Sequence, residues 1–226
     1  MFGLWFLDSD ISFLSITARL CASVVAIVFF LPWREISHIW MSHVFSGMKF
    51  NAKSYPLFDF FDPIGALFML LFGYGWSKRY PYFVAEPSTK SEYVLICLSG
   101  PAFTFFSAIL LGVIFNVLTI LMFLQGLNLN WFIEFVNCLI EINVVLTVIN
   151  LMPVPPLDGF KICEAFIPSR FLPKYYKNYF TISIVLCILL FIGVFNAPLE
   201  ILGNAVYKSV RIISGIPFFV FRGLHV

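Results

Sequence analysis

Five stretches of this chain, residues 11–33, 60–76, 93–124, 131–152 and 179–202, run on with almost no charge. The first holds only Arg19, the second only Asp62 and the third no charge at all. The fourth holds Glu134 and Glu141, the fifth Glu200. A helix needs about 20 apolar residues to cross a bilayer core. Only a helix or a closed barrel satisfies its backbone polar groups inside lipid. Of the 226 residues, 61% are hydrophobic and 12% are charged, and mean hydropathy is +0.95. A soluble domain has about 25% charged residues, so this one cannot cover a watery surface. The expectation is an all-α, multi-pass membrane helix bundle of about five to six spans, integral to the lipid bilayer.

A single membrane domain over 1–226 is expected: an N-terminal segment at 1–10, a helical core at 11–202 and an interfacial C-terminal tail at 203–226. In the tail, apolar residues alternate with Lys208, Arg211 and Arg222, the pattern of a helix lying at the interface. Asp8 and Asp10, with no basic residue before the first run, do not read as a cleaved signal. Gly100-Pro101 predicts a bend or a helix start within the third run. Basic residues are shared among several loops, so they do not fix orientation. The five cysteines stand singly without a C-x-x-C pair, which argues against a disulfide framework and a thiolate zinc site. With net charge +2 and no phosphate loop, no nucleic-acid partner is expected.

Two segments carry chemistry. Arg34-Glu35-Ile36-Ser37-His38 is one substitution from H-E-x-x-H. In that motif two histidines share a helix face to bind zinc, and the glutamate serves as general base toward the metal-bound water. Arg34 stands in the first ligand position, and a guanidinium offers no lone pair. Alone, E-x-x-H is most often an ordinary Glu/His helix pair. Pro32-Trp33 directly before it predicts a kink or restart of the helix.

Over 150–159 the chain reads Asn150-Leu151-Met152-Pro153-Val154-Pro155-Pro156-Leu157-Asp158-Gly159. The prolines end the preceding helix and stiffen the backbone that follows. A carboxylate held beside a membrane span calls for a cation; the plainer reading of Asp158 is a solvent-facing helix cap.

Together these segments resemble the site-2 protease family of intramembrane zinc metalloproteases. That family pairs H-E-x-x-H with N-x-x-P-x-P-x-L-D-G, matched here at Asn150, Pro153, Pro155, Leu157, Asp158 and Gly159. Asp62-Pro63-Ile64-Gly65 resembles its D-P-x-G after a short re-entrant segment. Gly75-Trp76-Ser77-Lys78 and Ser99-Gly100-Pro101 resemble two further family stretches. The resemblance covers roughly 28–162. It implies zinc as cofactor, His38 and Asp158 as metal ligands, Glu35 as general base and Asn150 as a group positioning substrate.

The departures fall on the site. Arg34 replaces the first ligand, Thr104 stands for the family's G-P-x-x-N asparagine, and Phe160 follows L-D-G. Two remaining ligands are an incomplete set, since catalytic zinc ordinarily has three protein ligands. His43 lies about 140° around the helix from His38, which suits a packing histidine better than a replacement ligand. His225 is too near the chain end. Arg34 is expected to form a buried ion pair with Asp158, or to bridge Asp158 and Glu35. The alternative is that it snorkels to the interface beside Trp33. Glu134, Asn137 and Glu141 share one helix face, and Arg19 or a water-filled cavity is a candidate partner for Glu141.

The expected function is a zinc-less pseudoprotease of the bacterial plasma membrane that binds a client's transmembrane helix. The alternative is an active zinc endopeptidase performing regulated intramembrane proteolysis with Glu35 as base. A transporter has little support, since no inverted repeat is visible.

Overall fold

The computed structural model describes residues 12–78, 81, 83–126, 128–154, 157–168 and 196–223, and 172–173, 177–178, 181–182, 185, 188–189 and 192–194 between the last two. The described residues hold helices and no strand. Helix α1 (Phe13–Val25) is capped by Ser12, whose hydroxyl accepts from the Ser15 amide at 3.2 Å. It passes without a break into a π-helical turn at Ala26–Phe30 and then α2 (Leu31–Ser46), one rod of 34 residues.

The π-turn sits just before Pro32. Proline cannot donate to the carbonyl four residues back, and its ring crowds that group. The Leu31 amide reaches back to the Ala26 carbonyl instead, and the widened turn makes room for the ring. The helix therefore neither restarts nor breaks at Pro32-Trp33.

Helix α3 (Pro63–Phe72) opens on Asp62, whose carboxylate accepts from the Ile64 and Gly65 amides, each at 2.9 Å. Ten residues span about 15 Å, half a bilayer core. The chain returns along 74–78, and a Cβ on Gly65 would overlap the Trp76 carbonyl. That contact brings Ser77 beside α2.

Helix α4 (Lys90–Gln125) starts on Thr89, which caps the Glu92 amide at 3.2 Å, while the Glu92 carboxylate accepts from the Ser88 amide at 2.9 Å. This reciprocal cap places the start ten residues before Gly100-Pro101. Those two lie inside the helix, where it crosses α2. The helix spans about 54 Å, more than the hydrocarbon thickness.

Helix α5 (Asn130–Asn150) is the most buried element. It packs against α1, α4 and α7 (Asn196–Gly223). Ala22, Phe30 and Leu31 of the first rod meet Met69 of α3 and Leu139, Ile142 and Leu146 of α5 in one core cluster. Polar residues mark two sides of α5. Glu134, Asn137 and Glu141 lie on one; Asn143, Thr147 and Asn150 lie about 150° away and nearer the C-terminal end. The Asn137 amide donates to Glu141 at 3.0 Å, and Arg19 of α1 supplies the opposite charge. On the second side, Thr147 meets Thr104 of α4 at 2.7 Å.

Helix α7 bears on the boundary expected at 202. It runs through that point, and Val210 and Ser214 on its inner face are fully buried. Tyr207 donates to Asn137 at 2.7 Å, Asn116 donates to the Ser214 carbonyl at 3.2 Å, and Arg211 sits 4.1 Å over the Phe115 ring. Residues 203–215 thus continue the helix packed on α4 and α5, with Val210, Ser214 and Arg211 turned to the bundle while Lys208 is exposed. Among the described residues, three helical segments are long and apolar enough to cross a membrane: Phe13–Ser46, Lys90–Gln125 and Asn130–Asn150. In the run expected at 179–202, residues 179–180, 183–184, 186–187, 190–191 and 195 lie outside the described residues. Cys21, Cys97, Cys138 and Cys163 are free thiols.

Candidate active site

Helix α2 supplies Arg34, Glu35 and His38, α5 ends on Asn150, and α6 (Asp158–Glu164) begins with Asp158. The turn between α5 and α6 folds back through 151–154, and a Cβ on Gly159 would overlap the Leu151 carbonyl. Two segments more than a hundred residues apart thereby meet. Arg34 is 2% exposed, and Glu35, His38 and Asp158 are 0% exposed.

The Arg34 guanidinium lies at the centre. Its Nη2 hydrogen-bonds to Glu35 Oε1 and its Nη1 to Asn150 Oδ1. Nη1 is also 4.0 Å from Asp158 Oδ2. These hydrogen bonds go to Glu35 and Asn150, and Asp158 lies further off as an ionic neighbour. A charged donor between two carboxylates and an amide oxygen is a strong, geometrically specific arrangement. It leaves no role for Arg34 as an interfacial, snorkelling side chain.

Glu35 Oε1 also accepts from Ser77 at 3.1 Å, and Glu35 Oε2 is buried without a hydrogen bond among the described residues. Asn150 donates its amide to the Leu146 carbonyl at 2.7 Å. Its oxygen and one N–H are therefore engaged within the protein.

His38 Nε2 stands 3.4 Å from Asp158 Oδ2, and its Nδ1 is 2.7 Å from the Ile96 carbonyl. A carbonyl only accepts, so Nδ1 carries the proton and Nε2 is the nitrogen turned to Asp158. Ser99 Oγ is 3.2 Å from the same Nδ1, while donating to the Ile96 carbonyl at 2.7 Å. Serine, histidine and aspartate thus line up, but a protonated Nδ1 cannot take the hydroxyl proton, which rules out the base step of a serine triad. The imidazole fits only because residue 100 is glycine: a Cβ there would overlap His38 Nε2.

His43 points elsewhere, its Nδ1 2.9 Å from the Ile39 carbonyl and its ring against Phe50 and Tyr55. His225, Pro155 and Pro156 lie outside the described residues. The reading from sequence did not assign roles to Ser77, Ser99 or the Ile96 carbonyl; the first two sit inside the motif stretches at 75–78 and 99–101. A cleft lined by Ile27, Leu31, Phe60, Asp62, Trp76 and Ser77 lies between the π-turn and α3, with Ser77 linking it to Glu35.

Do these residues fit a catalytic zinc? Among the described residues no group of three or more His, Cys, Asp or Glu side chains is placed to hold a metal ion. His38 and Asp158 would be two ligands, the nearest third carboxylate is engaged by Arg34, and the guanidinium itself repels a dication and donates no lone pair. The donor set does not fit.

A membrane-embedded helix bundle that buries E-x-x-H against L-D-G defines the class of intramembrane metalloprotease folds. Similarity to known proteins agrees: the profile described as Peptidase family M50 matches residues 22–192. The chain belongs to peptidase family M50, the site-2 proteases. It is 27% identical over 156 residues to "Putative zinc metalloprotease YwhC" of Bacillus subtilis (strain 168), covering 64% of this chain and 68% of the relative. No solved structure matches.

Proposed function

We propose that this chain is a non-proteolytic M50 member of a bacterial plasma membrane, binding the transmembrane helix of a client protein without cleaving it. The observation that carries the reading is the Arg34–Glu35 contact. The carboxylate required as general base is held by a guanidinium, which occupies the space where water would be activated. Asn150 is engaged by the same side chain, so the group expected to hold substrate backbone is occupied too.

An active zinc endopeptidase is the second reading. In its favour, His38 keeps the tautomer that presents Nε2 toward Asp158.

Reporter proteins carrying one transmembrane helix, reconstituted with the chain in proteoliposomes, distinguish the two. With a photo-crosslinking residue at Phe61, beside the cleft, the expected result is crosslinked reporter of unchanged length. A shortened reporter that disappears with Glu35→Gln overturns the non-proteolytic reading. Absence of crosslinking across the reporter panel overturns the client-binding part.

A further inference from the structure

Asp158 Oδ2 faces two nitrogens, His38 Nε2 at 3.4 Å and Arg34 Nη1 at 4.0 Å. Zinc bonds of about 2.0–2.2 Å to nitrogen and oxygen place two tetrahedral ligands roughly 3.3 Å apart. The His38–Asp158 spacing is therefore that of neighbouring ligands on one metal. The Ile96 carbonyl fixes the imidazole tautomer from behind, as outer partners of metal-binding histidines do. Two vertices of a coordination sphere are thus kept. A third vertex, at residue 34, carries a cation in place of a donor.

We propose that the Arg34 guanidinium is the resident cation of this site: covalently attached, it holds Glu35, Asn150 and Asp158 together and makes zinc uptake and Arg34 mutually exclusive. This deepens the non-proteolytic reading, on which it rests, by naming what keeps metal out. The local charge balance supports it. Two fully buried carboxylates in a membrane protein need positive charge close by, and Arg34 provides it with fork geometry that a spherical ion lacks. Metal would have to displace the guanidinium from two hydrogen-bonded acceptors and leave it buried beside a dication. Conversely, an imidazole at position 34 would relieve the repulsion and add the absent lone pair, on the same helix face as His38 one turn away.

The test is zinc content per chain after purification from zinc-supplemented membranes, read for wild type, Arg34→His and Arg34→His/His38→Ala. Expected are less than about one tenth of an equivalent in wild type, about one equivalent in Arg34→His, and a return toward the wild-type level in the double variant. Stoichiometric zinc in wild type that is lost on His38→Ala overturns the proposal. So does an Arg34→His protein that elutes as a folded particle yet binds no more zinc than wild type. Should Arg34→His fail to fold, Arg34→Ala decides. Its unfolding midpoint is expected to fall by on the order of 10 °C and to recover in part with millimolar guanidinium but not methylammonium. An unchanged midpoint, or equal recovery with both ions, overturns the proposal. Cleavage is not read in this experiment. Shortened reporter from zinc-free wild type would overturn the non-proteolytic reading and leave the resident-cation proposal standing.

Discussion

His38 and Asp158 face one another at 3.4 Å across the junction of α2 and α6, with no exposure to solvent. Their meeting depends on Gly100 of α4, which lies so close to the imidazole that any side chain would displace it. Gly100→Ala is expected to lower stability by about 1–3 kcal/mol, the usual consequence of overfilling a packed site. Thermal unfolding in detergent checks this; a midpoint equal to wild type would mean that His38 has other room to occupy.

Asn150 presents its oxygen to Arg34 and its N–H to Leu146. Replacing it with Ala leaves a charged donor short of an acceptor inside the bundle, which costs about 1.5–3 kcal/mol. Asn150→Asp is expected to be milder, since the oxygen is kept and opposite charge added. Comparing unfolding midpoints of the two variants tests the order.

Glu35 and Arg34 are partners by contact, so their substitutions should not add. Glu35→Gln and Arg34→Ala each remove one member of a buried pair, and the double variant is expected to fall short of their sum by about 0.5–3 kcal/mol. A double-mutant cycle on unfolding free energy measures that difference. Strict additivity would show that the contact carries no energy.

Ser99 donates to the Ile96 carbonyl beside a histidine nitrogen that already bears a proton. A fluorophosphonate probe for activated serines is therefore expected to leave the wild-type protein unlabelled. Labelling that vanishes in Ser99→Ala would reverse the tautomer assigned to His38.

Tyr207 ties α7 to α5 through Asn137. Hydrogen bonds between membrane helices average about 0.6 kcal/mol, so Tyr207→Phe should lower the midpoint by only a few degrees. Protection of a cysteine placed at Ser214 from a thiol reagent should fall with it if this bond helps hold α7 in place.

Much of the fold was legible because lipid imposes a simple rule: long uncharged runs become helices. The meeting of Glu35 and His38 with Asp158 was legible because each half carries motif residues whose spacing is fixed by a helix or by prolines. Other features follow from geometry that a residue string does not display. The π-turn is one answer among several to Pro32 within a helix. The start of α4 rests on a reciprocal cap by Thr89 and Glu92 in a polar stretch lacking any apolar signal. Helix α7 carries Lys208 and Arg211, so hydropathy places it at the interface, while contacts with Phe115, Asn116 and Asn137 place it on the bundle. For Arg34, charge alone pointed to a carboxylate partner; that an amide oxygen takes one of its two arms depends on where α5 ends.

Helix α5 presents polar groups on opposite sides, Asn137 and Glu141 toward α1 and α7, and Thr147 and Asn150 toward α4 and α2. A purely apolar helix in lipid can turn about its axis and slide with little penalty, because every face is equivalent. This one has a key cut on both edges. Turning it by a single residue, about 100°, would strand Glu141 or Asn150 among aliphatic side chains, so the bundle admits one rotational setting and one depth. The α5 helix thereby works as the registration pin of the molecule, and the alignment of the Arg34 site is set in part by groups about two to four turns away along α5.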